Sequence, residues 1–159
     1  MINRMLLRTV LAGFAAVLLV PAAAAEMPSR EPAPAADFSG QFCKDFRVGV
    51  HVVQNKEFFT VFSSGAALIT GVLKVEVTNL STGKTLALNI SGPGTFSPDG
   101  STAAAHGTWM LFGEAGQMPG PDPGMLLVTG STSLVFGPAG LTSISTRGRT
   151  EDLCAALAA

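Results

Sequence analysis

Between Leu73 and Ile90, apolar and polar side chains alternate on both sides of a polar turn. Leu73, Val75 and Val77 alternate with Lys74, Glu76 and Thr78. After Asn79-Leu80-Ser81-Thr82-Gly83-Lys84, Leu86, Leu88 and Ile90 alternate with Thr85, Ala87 and Asn89. Period-two alternation around a Gly-containing turn predicts a β-hairpin with one buried face and one wet face.

The same grammar extends in both directions. Phe46, Val48, Val50 and Val52 alternate with Arg47, Gly49 and His51, which predicts a first strand, with Gln54-Asn55-Lys56 as its turn. Glu57 to Phe62 is a second strand with apolar residues on both faces, and Ala67 to Thr70 leads through a kink at Gly71 into the central hairpin. Ser91 to Gly94 and Ser97-Pro98-Asp99-Gly100 are turns by composition, flanking a short strand at Thr95-Phe96. Thr102 to Phe112 is a long strand. Gly113 to Gly124 holds three prolines and four glycines and is expected to be irregular. Met125 to Thr129 and Ser133 to Phe136 are strands that can run on across Gly130, and Leu141 to Arg149 is the last. Thr150 is placed to cap a short C-terminal helix, with Glu151 and Asp152 in its first turn.

Strands joined by tight turns predict an all-β domain. The expected form is an antiparallel up-and-down β-barrel of about eight strands, with a two-sheet β-sandwich as the alternative. The preference for the barrel rests on neighbours in sequence usually pairing.

The ends of the chain read differently. Met1 to Ala25 has Arg4 and Arg8 at its start, an apolar run from Val10 to Val20 broken by Pro21, and small residues Ala23 to Ala25 before Glu26. These are the three zones of a cleavable signal peptide, and the apolar run is shorter than the roughly 20 residues a membrane span needs. Residues 26–41, with Pro28, Pro32 and Pro34 among Ala, Ser and Glu, read as a flexible linker. Residues 42–159 are then one β domain in a secreted, extracytoplasmic protein, with no stable membrane insertion after cleavage.

Composition narrows the function. Charged residues are 13% of the chain, hydrophobic ones 47%, and net charge is −1. With no basic cluster, nucleic-acid binding is not expected. Cys43 and Cys154 are the only cysteines, and an exported chain with two is expected to pair them. Neither has a His or Cys at ligand spacing, so no metal site is expected.

Motifs that carry chemistry are scarce. There is no Gly-x-Ser-x-Gly, no His-Glu-x-x-His and no phosphate loop before a helix. His51 and His106 fall on different strands with no motif joining them. Glu57 and Glu76 sit on strands as expected solvent-facing residues rather than as a hydrolytic pair. No catalytic residue and no cofactor is assigned. Asn79-Leu80-Ser81 and Asn89-Ile90-Ser91 fit the glycosylation pattern, but three-residue patterns arise by chance. Tyr is absent and Trp109 is the only Trp, which weakens a sugar-stacking surface and makes Trp109 a core anchor first.

The feature that exceeds a plain core is the set of strands apolar on both faces, around Phe58 to Phe62, Trp109 to Phe112 and Met125 to Val128. Such strands need a cover, from the 113–124 loop or a second subunit, or they line an apolar cavity. Phe62, His106, Trp109 and Phe112 are the candidate ligand-binding residues. The expected partner is a small apolar ligand or a protein, with a homo-oligomer also open. A barrel-type enzyme with a histidine at the lumen mouth and a structural envelope protein are the competing readings.

Phe42-Cys43, the turn Thr78 to Lys84, the run Asn89-Ile90-Ser91-Gly92-Pro93-Gly94 and the terminal Asp152-Leu153-Cys154 together resemble a group of small exported bacterial β-domain proteins of unknown function. The resemblance implies export and a β fold, and it implies no catalytic residue.

Overall fold

The computed structural model describes residues 28–158, so the signal-peptide segment lies outside the described residues. Strands numbered in chain order form two antiparallel sheets. The larger runs β1 (Ser29–Pro32), β4 (Phe58–Val61), β5 (Ala67–Thr70), β8 (Gly94–Phe96), β9 (Thr102–Gly113), β10 (Gly124–Gly137) and β11 (Gly140–Asp152). The smaller runs β2 (Phe38–Gly40), β3 (Val48–Asn55), β6 (Leu73–Asn79) and β7 (Thr85–Asn89). A short helix, α1 (Leu153–Ala158), follows β11.

The fold is therefore all-β with a short C-terminal helix, as the pattern predicts. The pairings among the described residues close no barrel. Chain order also fails to predict every partner. β3 pairs with β6, and β5 with β8, each across intervening chain. Alternation fixes which face a residue occupies but leaves the neighbouring strand open.

The central hairpin forms as expected, with Val75 opposite Leu88 and Val77 opposite Leu86. Val75 and Val77 are buried while Lys74 and Glu76 face solvent. Asn79 holds the turn: its Oδ1 accepts from the Ser81 and Thr82 amides at 2.9 and 3.3 Å, and its Nδ2 donates to the Leu157 carbonyl at 3.2 Å. These bonds satisfy a polar side chain that is almost wholly buried.

Residues 29–40 depart most from expectation. This stretch, read as linker, carries β1 and β2. β1 pairs with β4 at the edge of the larger sheet, where Pro32 at the strand end has no ladder donor to lose. Composition could not disclose this, because the partner strand lies far along the chain.

β9 and β10 serve two cores, and β11 one of them. Met125 packs with Val48, Val50, Val75, Val77, Leu153 and Leu157 between the sheets. Val128, on the opposite face, packs with Leu111, Leu134, Leu141 and Met118. Met118 comes from the 114–123 loop, so that loop covers one apolar face, as the two-sided strands require. Gly107, Gly130 and Gly148 lie opposite one another across the three strands, all at positive φ. A Cβ at Gly130 or Gly148 would overlap the neighbouring backbone carbonyl of Arg147 or Thr129. The row lets the strands bend together at one level. It also shows that the segments before and after Gly130 are one strand.

Cys43 and Cys154 are disulfide-bonded, with Cα atoms 5.5 Å apart, closing a sequence separation of 111. The bond ties the chain before β3 to α1. Asp152, not Thr150, caps that helix: its Oδ1 accepts from the Cys154 and Ala155 amides at 2.8 and 3.1 Å.

Candidate functional site

The inter-sheet core does not fill the whole space between the sheets. Beyond Val50, Val75 and Met110 lies a cavity of about 380 Å³. The smaller sheet contributes Val50, Val52, Leu73 and Val75 to its wall, with Ile90 just beyond β7. Ile69, Trp109, Met110 and Phe112 line it from the larger sheet. The volume lies within the range of small-molecule sites, and the wall is predominantly apolar, as such sites are.

One rim is the segment Pro34-Ala35-Ala36, between β1 and β2. Its middle is exposed but both ends are fastened. At Ala33, the amide donates to the Glu57 carbonyl at 2.9 Å, and the carbonyl accepts from Asn55 Nδ2 at 2.7 Å. At Asp37, Oδ1 accepts from the Val52 amide at 2.8 Å and Oδ2 lies 2.7 Å from His51 Nδ1. The bonds from Val52 and His51 hold the Asp37 carboxyl below its ordinary pKa. Asp37 in turn raises His51, through the hydrogen bond first and charge second. The rim is thus a strap latched at two points.

Among the described residues, Glu57 is the single ionisable one on the cavity wall. It is 8% exposed, and its carboxylate makes no hydrogen bond or ion pair among the described residues. Burial pushes its carboxyl pKa upward. The sequence expectation placed Glu57 facing solvent, and the structure corrects that. Its backbone explains the position: the Glu57 amide donates to Asn55 Oδ1 and its carbonyl receives Ala33, which locks the turn into β4 under the strap.

The four residues expected to bind ligand divide. Trp109 lies on the wall, half-buried, with Nε1 donating to the His106 carbonyl at 3.1 Å. Its six-membered ring sits where a Cβ on Gly94 would be, so a glycine at that position is what admits the indole. Phe112 is also on the wall. Its ring centroid lies 5.0 Å from those of both Phe38 and Phe42. His106 is exposed, its Nδ1 3.1 Å from Ser131 Oγ, and Phe62 is 37% exposed; neither lines the cavity. Period-two patterning missed Glu57 and the Pro34–Ala36 rim. The Asn55–Glu57 turn carried no signal of burial.

Acid–base groups do not converge at the site. Neither His51 nor His106 lines the cavity. Among the described residues no three His, Cys, Asp or Glu side chains are placed to hold a metal. No described helix is long and apolar enough to cross a membrane. A search of protein families, curated proteins and solved structures finds no match for this chain.

Proposed function

We propose that this is a non-catalytic binding protein that takes a small hydrophobic molecule into the cavity between its two sheets. The observation that carries the reading is the cavity itself, walled by Ile69, Leu73, Ile90, Trp109 and their neighbours. An apolar space that size, open at a fastened rim, is suited to a ligand of a few rings or a short chain. With no nucleophile, base and orienting group gathered there, binding fits the wall better than turnover. A two-sheet architecture, rather than a closed barrel, fits the reading best, because the site is the gap between sheets. Secretion fits as well, since the Cys43–Cys154 bond belongs to an oxidising compartment.

Trp109 makes the test direct. It is the only Trp and the chain has no Tyr, so tryptophan emission reports from the cavity wall alone. Titration with N-phenylnaphthylamine, uncharged near neutral pH, is expected to quench Trp109 and give saturable sensitised dye emission. Val52→Phe, which pushes a ring into the space, is expected to weaken that binding at least about tenfold while leaving the fold intact. A dye that never saturates, or binds Val52→Phe equally well, refutes the reading.

A further inference from the structure

We infer that the natural ligand carries a basic amine on its apolar body, and that the amine seats against the Glu57 carboxylate. The inference rests on the binding reading above and specifies its ligand.

The argument begins with how the other acids are satisfied. Asp37 accepts from Val52 and His51. Asp99 accepts from Ser97 and Ser101. Asp152 caps α1, and Glu151 pairs with Arg149 at 2.8 Å. All of these reach water as well. Glu57 is the buried acid among the described residues; its carboxylate has no such partner there, and its oxygens keep some access to solvent. Buried carboxylates are ordinarily paired, because an unpaired one is costly.

The nearby basic side chains do not fill the role. Arg30 is exposed and lies 4.4 Å over the Phe58 ring. Lys56 precedes Glu57 but is exposed. Pro34, Ala35 and Ala36 bring no donor side chain to the rim, and Trp109 Nε1 is committed to His106. What is missing is a donor, preferably charged, delivered from the cavity side.

A protonated amine supplies that donor, and its charge also opposes the upward push that burial gives the Glu57 carboxyl pKa. A ligand ending in a carboxylate offers Glu57 no charged donor, so fatty acids are disfavoured. A predominantly apolar cavity of about 380 Å³ suits the body of a short alkylamine or an arylamine.

Three eight-carbon compounds test this by displacing N-phenylnaphthylamine from the full protein at neutral pH: octylamine, octanol and octanoate. Octylamine is expected to displace the dye at about tenfold lower concentration than octanol, in keeping with a charge-assisted bond, and octanoate to be the weakest. Glu57→Gln should bring the three together, each compound's displacement being referred to the dye affinity measured for that same variant, with the far-ultraviolet circular dichroism unchanged. If the dye binds but octylamine and octanol compete equally in the wild-type protein, the inference is overturned and the binding reading stands. Dye that does not bind at all overturns both. The wild-type comparison decides the matter even if Glu57→Gln fails to fold.

Discussion

The Cys43–Cys154 end of the space between the sheets and the Pro34–Ala36 end share several strands, and they differ in what closes them. At the first end α1 lies against β10 and β6, and Val48, Val77, Met125, Leu153 and Leu157 are fully buried. At the second end no helix arrives among the described residues. Ile69, Leu73 and Ile90 are only partly buried, and a strap of small residues stands where a layer of side chains would be. Val50, Val75 and Met110 belong to both, so the cavity begins where the packed core stops. One end is therefore packed solid and the other keeps a cavity.

The largest effect expected from breaking this arrangement is loss of the disulfide. Closing a loop of about 100 residues is worth roughly 4–5 kcal/mol in the chain-entropy model, comparable with the whole net stability of a small domain. Cys43→Ser combined with Cys154→Ser should lower the urea midpoint by a corresponding amount. An unchanged midpoint would place the anchoring of the fold elsewhere.

Truncation on either side should give unequal losses. Leu157→Ala empties a fully buried site and is expected to cost about 2–5 kcal/mol. Ile69→Ala trims a half-buried wall that already faces empty space and should cost about 1 kcal/mol. Equal losses in denaturant unfolding would contradict the division between a filled end and an open one.

The smallest effect belongs to the strap. His51 is raised above its ordinary pKa of 6.5 by Asp37, so its contribution is complete below that pH and is lost as pH rises through the raised value. Asp37 is lowered from 3.8, so its contribution is present above that pH and is lost as pH falls through the lowered value. Both act together between those two ordinary values. Hydrogen exchange of the Val52 amide, corrected for intrinsic rate, should be slowest in that window and faster in Asp37→Ala. A flat profile in the wild-type protein would mean the latch does not hold the strap.

The filled end was more legible in the sequence than the open one, for a physical reason. The Leu73–Ile90 hairpin follows from alternation, and the cysteine pair from count and compartment, so most of what surrounds Val75, Val77 and Cys154 could be anticipated. The irregular 113–124 loop could also be expected as a cover, and Met118 supplies it. The open end depends on pairings between distant stretches: Ser29–Pro32 with β4, and Ala67–Thr70 with β8. Periodicity records the face a residue takes and carries no trace of which strand lies beside it. Proline-rich composition suggested a linker because nothing local distinguishes an edge strand from an extended tail. Trp109 and Phe112 could be expected at a cavity wall because large apolar residues on both faces of a strand need a cover or a space to line, and both line the cavity. Glu57 was missed because a charged residue beside a turn reads as wet unless the strap over it is known.

Methyl-resolved NMR during titration with octylamine compares the two ends in a single experiment. The account predicts shifts at Ile69, Leu73 and Ile90 that saturate together, with Leu153 and Leu157 unmoved. Methyl signals that stay still at the cavity wall, or that move equally beside the disulfide, would contradict it.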